Sequence, residues 1–225
     1  MKSYRYLDLI TALFVVVLII SNIASTKVVL FGPFTFDGGT LLFPLAYIFG
    51  DVLTEVYGYK KSRRVIWTGF FLLLISTLTF GLVNTLPAPT DEFSQKSAEA
   101  FSTILGLVPR IVLASLVAYF VGEFVNSYIL ARLKVATNGR WLALRTIGST
   151  LVGQGLDTAI FLLVAFYGVW DNSLLWTVFV SNYIFKVGIE VLFTPLTYAA
   201  VGFLKHNEQE DYYDRNTNFN PFSAR

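Results

Sequence analysis

Six stretches of the chain, at about 7–24, 41–58, 65–86, 108–131, 146–169 and 173–204, are each long and apolar enough to cross a lipid bilayer. A helical crossing takes about 20 mainly apolar residues, because about 30 Å of hydrocarbon is covered at about 1.5 Å per residue. One soluble globule has no room for so much apolar surface. Of 225 residues, 55% are hydrophobic and only 14% charged, against roughly 25% charged in a soluble domain. In hydrocarbon, backbone amides and carbonyls must be paired within the segment. The expected fold is therefore all-α: a polytopic membrane protein with six transmembrane helices over residues 1–205 and a polar tail over 206–225. Lys2 and Arg5 before the first run give it the look of a signal peptide. Asp8 interrupts that run and five further spans follow, so it reads as a retained helix.

The basic residues give an independent test of orientation. Lys2 and Arg5, then Lys60, Lys61, Arg63 and Arg64, then Arg132, Lys134, Arg140 and Arg145, then Lys205, Arg215 and Arg225 all fall on one side of a six-span chain. They are 13 of the 17 Lys and Arg residues. The opposite connections hold Lys27 and Lys96. This alternation predicts both termini in the cytoplasm, in a multi-pass protein of the plasma (inner) membrane. The basic connections are orientation signals and not evidence of nucleic-acid binding.

Between spans three and four, residues 87–107 read as a short amphipathic helix at the outer surface, an interfacial connector or a lid. Thr90 is its expected N-cap, and Phe93, Phe101, Ile104 and Leu105 form its apolar side. Pro195 should kink the long sixth span or end its membrane part. Beyond Lys205 the polar composition predicts a disordered tail.

Seven ionisable residues lie inside the spans: Asp51, Glu55, Arg110, Glu123, Asp157, Lys186 and Glu190. An Asp, Lys or Arg at mid-span costs roughly 2.5–3.5 kcal/mol on insertion scales, so these groups must face one another or a cavity. Helical spacing aligns Tyr47, Asp51, Thr54, Glu55 and Gly58 on span two, and Tyr119, Glu123 and Ser127 on span four with Asn126 beside them. It likewise aligns Thr150, Gln154, Asp157 and Thr158 on span five, and Asn182, Lys186 and Glu190 on span six. Four polar stripes at overlapping depth predict a water-accessible cavity among four helices. Plainer roles compete: Lys186 with Glu190 as a structural i,i+4 pair, Glu55 with Arg63 or Arg64 at the inner interface, and Arg110 snorkelling at the outer edge. Asp157 and Lys186 are both too central to snorkel, so their pairing reads as functional. Ala114, Ala118, Gly122, Ser149 and Gly153 have the small-xxx-small spacing of close helix packing.

The chain lacks cysteine, which excludes disulfides and thiolate chemistry, and its single histidine, His206, lies in the tail. Zinc sites and histidine-based triads are thereby disfavoured, no metal or cofactor is expected, and the chain is not expected to be an enzyme. An aspartyl protease pairing Asp51 with Asp157 would lack any surrounding motif.

Several ordered segments carry a resemblance: Phe43-Pro44-Leu45, Asp51-Val52-Leu53-Thr54-Glu55-Val56-Tyr57-Gly58, Pro109-Arg110-Ile111-Val112-Leu113-Ala114-Ser115, Arg145-Thr146-Ile147-Gly148-Ser149-Thr150, Gly153-Gln154-Gly155-Leu156-Asp157-Thr158 and Tyr183-Ile184-Phe185-Lys186. Over about residues 7–205 the chain resembles the queuosine precursor transporter family, also grouped with vitamin uptake transporters. The resemblance implies uptake of 7-deazaguanine bases such as 7-cyano-7-deazaguanine. It also implies a fold similar to the six-helix substrate-binding subunits of energy-coupling-factor transporters. A lone carrier, a homo-oligomer and a partner of an ATPase module all stay open. A guanine-like edge offers adjacent N–H and amino donors, and a flat ring that stacks on aromatic side chains for about 1–3 kcal/mol. For that ligand Asp157 or Glu190 is the candidate acceptor, with Gln154, Asn182 and Lys186 adding polar contacts and Tyr47, Tyr119 or Tyr183 stacking. Asp51, Glu55 and Glu123 are the candidates for coupling or gating.

Overall fold

A computed structural model describes residues 4–24, 27–31, 34–105, 109–168 and 171–223. Helix α1 (Leu7–Ala24) leads to an antiparallel hairpin of β1 (Val28–Phe31) and β2 (Phe34–Asp37), with Val28 opposite Asp37. Helix α2 (Phe43–Val52) runs straight into a π-turn, Leu53–Tyr57. Then come α3 (Tyr59–Thr85), α4 (Glu92–Leu105), α5 (Pro109–Ala136), α6 (Leu142–Phe166) and α7 (Asn172–Glu208). The hairpin departs from the all-α expectation. Its strands, Val-Val-Leu-Phe and Phe-Thr-Phe-Asp, are rich in the β-branched and aromatic residues that favour strands.

Five of these helices are long and apolar enough to cross a membrane. The second expected span differs: α2 has 10 residues and its π-turn five, about 22 Å at helical rise and short of the hydrocarbon thickness. Bundle packing accounts for this, since all five π-turn residues are buried. A π-turn leaves backbone groups out of the regular ladder, which is tolerated at membrane depth where protein surrounds it.

The lipid-facing surface is visible on α1, where Leu9, Leu13, Val16 and Ile20 recur at helical spacing and are all exposed. The opposite face of α1 puts Ile10, Phe14 and Val15 into a core with Ile48, Val52, Leu53, Val56, Val65, Val201 and Leu204. Against α6, α5 packs through glycines. A Cβ on Gly153 would lie 2.9 Å from Asn126 Cβ and 3.0 Å from the Gly122 carbonyl, and one on Gly122 would lie 2.8 Å from Asp157 Cβ. The small-residue spacing thus marks helix contact.

α7 holds Pro195 inside it and stays helical to Glu208. Two local expectations change. Asp91, not Thr90, caps α4, its carboxylate accepting the Ser94 amide at 2.9 Å; no residue of α4 is buried, and it meets the bundle along α3. And the tail is packed. The Tyr212 amide donates to the Val56 carbonyl, Asp214 accepts the first amide of α3 at Tyr59, and Trp67 donates to the Pro221 carbonyl. Glu208 accepts the amides of Arg5 and Tyr6, and Tyr4 donates to Glu210. Both ends of the described chain therefore lie at one end of the bundle, the end rich in basic residues.

Candidate functional site

Two groups of buried acids occupy the interior, and they are satisfied in opposite ways. At the basic end, Glu55 is fully buried in the π-turn. Arg145 of α6 grips it with both terminal nitrogens, Lys205 of α7 lies 2.7 Å away and Lys134 of α5 3.6 Å away. Arg145 is itself held by the carbonyls of Gly139 and Arg140, which the α5–α6 turn presents through the left-handed backbone of Asn138 and Gly139. From the tail, Asp211 bridges Lys134 and Lys205. Burial works against the Asp211 charge, but these two ammonium groups outweigh it and hold its carboxyl below the usual range. Glu55 is thus the centre of a saturated ion cluster. The local pairing with Arg63 or Arg64 does not form; Arg63 instead donates to the carbonyls of Asn218 and Asn220.

One helical turn deeper, about 6 Å along the axis, Asp51 is also fully buried. Asn126 of α5 donates to its Oδ1 at 3.0 Å, and its carboxyl lies within hydrogen-bonding reach of Glu190 of α7. Glu123 of α5 approaches Gly50, where a Cβ would collide with its carboxylate. Glu123, Asp51 and Glu190 are each at most 7% exposed, and no cation pairs with them among the described residues. Asp51 Oδ2, Glu123 Oε1, Glu190 Oε1, Asn126 Oδ1, Gln154 Oε1, Thr150 Oγ1 and the Tyr119 hydroxyl are all buried with no hydrogen-bond partner. A buried polar atom left unpaired costs about 1–3 kcal/mol, so this concentration of them marks a place that is not serving stability alone.

Beside this cluster Lys186 of α7 meets Asp157 of α6 at 2.7 Å, with the Thr158 hydroxyl at 3.4 Å. The structure therefore brings together Asp51, Glu123, Asp157, Lys186 and Glu190 from four helices, with Gln154 buried on α6; Tyr119 instead turns toward α1 and α3, its hydroxyl beside Gly69 and its ring against Leu18 and Leu73. Other candidates fall outside. Asn182 shares a helix with Lys186 and Glu190 but is exposed; its stripe is too wide for all three to point inward. The Tyr183 hydroxyl donates to the Leu151 carbonyl and its ring stacks on Phe179, so it links α7 to α6. The side chains of Tyr47 and Arg110 lie outside those described. Below the cluster, Thr54, Ser62 and Ser127 close a buried triangle of hydroxyls at 3.0–3.1 Å. A concavity of about 360 Å³ lined by Tyr128, Arg132 and Ala136 lies on the side of α5 instead; its lining comes from that one helix. Sequence reasoning missed Lys134, Arg145 and Lys205 as partners of Glu55, having counted them only as orientation signals.

Apolar helices facing lipid around an interior of charged and unpaired polar groups define a multi-pass membrane protein of the transporter class. The chain belongs to the family described as "Putative vitamin uptake transporter", whose model matches residues 37–200. It is 34% identical over 193 residues to a "Probable queuosine precursor transporter" of Bacillus subtilis (strain 168), covering 84% of this chain and 82% of that one. It is 27% identical over 161 residues to the "Queuosine precursor transporter" of Escherichia coli (strain K12), covering 69% and 67%. A "Probable queuosine precursor transporter" of Haemophilus influenzae is likewise 27% identical, over 164 residues, covering 70% and 65%. These relatives are transporters and not enzymes. No solved structure matches the chain.

Proposed function

We propose that this chain imports a queuosine precursor, a 7-deazaguanine base such as 7-cyano-7-deazaguanine, across the plasma (inner) membrane into the cytoplasm. It does so through six crossings with both termini cytoplasmic, α2 and its π-turn forming the short second crossing. The concentration of basic residues at the end holding both described chain ends supports this orientation. The six-helix arrangement is the one expected to be similar to energy-coupling-factor binding subunits.

One observation carries the substrate reading: the unpaired buried atoms are mostly acceptors. Glu190 Oε1, Gln154 Oε1, Asn126 Oδ1, Asp51 Oδ2 and Glu123 Oε1 offer lone pairs without donors, and a deazaguanine edge carries an N–H and an amino group side by side, next to a single ring carbonyl. Glu190 is the better acceptor for that edge, because Asp157 is engaged by Lys186. Gln154 adds a second acceptor. A chamber among α2, α5, α6 and α7 would hold the ligand there.

Hydrogen bonds to a charged group contribute about 1.5–3 kcal/mol each, so Glu190→Gln should weaken binding at least about tenfold. The assay is uptake of radiolabelled 7-cyano-7-deazaguanine by cells unable to make it, with expression checked in the membrane fraction. Full uptake by a folded Glu190→Gln protein removes Glu190 from the site, and no uptake by the wild type rejects the function. Uptake by the purified chain alone in liposomes would show that no ATPase module is required.

A further inference from the structure

We propose that protons drive this transport, and that the Asp51–Glu190 carboxyl pair is where the proton is loaded. This rests on the ligand reading above and supplies the energy source for the same site.

The argument begins with a contrast inside one element. Glu55 has three cations around it. Asp51, one turn away and equally buried, has none among the described residues. From α5 it faces Glu123 and Asn126, and from α7 it faces Glu190. From α6, Asp157 acts on Glu123. The ionisable residue of α1 is Asp8, in its first turn at the basic end. α3 meets the π-turn through Ser62. The described cations of the interior are committed elsewhere, Lys186 to Asp157 and Lys134, Arg145 and Lys205 to Glu55.

Three uncompensated carboxylates in a dry interior would each cost several kcal/mol. Two carboxyl groups in contact repel unless a proton sits between them. Geometry gives that proton a place. Asn126 occupies Asp51 Oδ1, which leaves Asp51 Oδ2 without a donor, and Glu190 Oε1 lacks one too. Asn126 itself, 3% exposed, keeps a buried Oδ1 with no donor, a second sign that the cluster awaits hydrogen.

Coupling follows from the shared residue. The donor edge of the ligand needs Glu190 ionised, so the proton leaves the Glu190 carboxyl and moves to Asp51 Oδ2; no other bond changes. The pair takes up one proton from the outer side before ligand binds, and Asp51 stays neutral while ligand is held. That proton leaves to the cytoplasmic side after the ligand does, so that the pair is reloaded from outside. One proton travels with each ligand.

The test uses purified full-length protein in liposomes and radiolabelled 7-cyano-7-deazaguanine. Exchange of label at equal pH on both sides reports binding and carriage without any driving force. Exchange absent in the wild type would defeat the ligand reading itself. With exchange present, an imposed gradient, acid outside, should drive accumulation of up to about tenfold per pH unit for one proton. A pH dye should show external alkalinisation when substrate is added. Asp51→Asn should abolish the accumulation, and its residual exchange should not vary with pH. Wild-type exchange without gradient-driven accumulation or proton uptake overturns the proposal, as does gradient-driven accumulation that persists in Asp51→Asn. The wild-type proton measurement decides the matter even where the variant does not fold.

Discussion

Glu55→Gln and Asp51→Asn remove the same charge from neighbouring turns, and both side chains are fully buried, yet the structure requires different outcomes. Around Glu55 the described charges are Arg145, Lys134 and Lys205 against Glu55 and Asp211, a net of one positive charge. Glu55→Gln doubles that excess and leaves the nearly inaccessible Arg145 and Lys134 facing each other. Breaking a buried pair from one side costs about 3–5 kcal/mol. At about 2–4 °C per kcal/mol for a chain of this size, melting should fall by roughly 6–20 °C. Asp51→Asn removes a charge that has no counter-ion, and the new amide can donate to Glu190 while still meeting Asn126. Its melting point should stay within about 3 °C or rise, since neutralising an unpaired buried charge removes a cost. Heating in detergent followed by size-exclusion measurement of the folded fraction reads both. Adding Lys205→Met to Glu55→Gln should recover part of the loss by removing one excess cation. Equal losses in the two single variants, or no loss in Glu55→Gln, would refute this division of the interior.

Two further outcomes follow from packing and from the tail. Gly153→Ala should lower the melting point by the equivalent of about 1–3 kcal/mol through overpacking, because its methyl meets Asn126 and the Gly122 carbonyl. Gly188→Ala, with open space at that position, should be nearly silent in the same measurement. The tail should loosen in acid: the lowered carboxyl of Asp211 contributes stability that is present above the unfolded value of about 4 and lost as pH falls through the folded one. Asp214, pushed up by burial, acts in the opposite sense and favours docking as pH drops through its raised value, so the loosening belongs below the ordinary carboxylate range. A fluorophore on Asn216→Cys, in a chain with no other cysteine, should report it, and Asp211→Asn should remove that acid step.

Hydropathy made five of the helices legible, because each is a long apolar run whose lipid face needs no partner. The stretch at about 41–58 reads in the sequence as long enough to cross, whereas α2 ends after 10 residues in a π-turn stabilised by contacts that a local pattern does not encode. Asp157 with Lys186 could be foreseen from depth alone. The Asp51–Glu190 contact depends on the rotation of α2 against α7, which one sequence does not state. Glu55 was matched to Arg63 and Arg64 by nearness in the chain, whereas its cations arrive from far along it. The tail looked disordered by composition. Its signals were Tyr212 and Tyr213, whose rings fit against Gly58 and Gly139, positions with positive φ and no room for a Cβ.

The ion cluster also sets an order of events during synthesis. Glu55 precedes its partners Lys134, Arg145 and Lys205 by 79, 90 and 150 residues. At about 5–20 residues per second the ribosome delivers the last of these roughly 8–30 s after the acid. Lys134 and Arg145 arrive first, and the cluster stays incomplete until Lys205 follows, so α2 and its π-turn should settle into their buried place only after α7 emerges, and nascent chains arrested at graded lengths would time the wait.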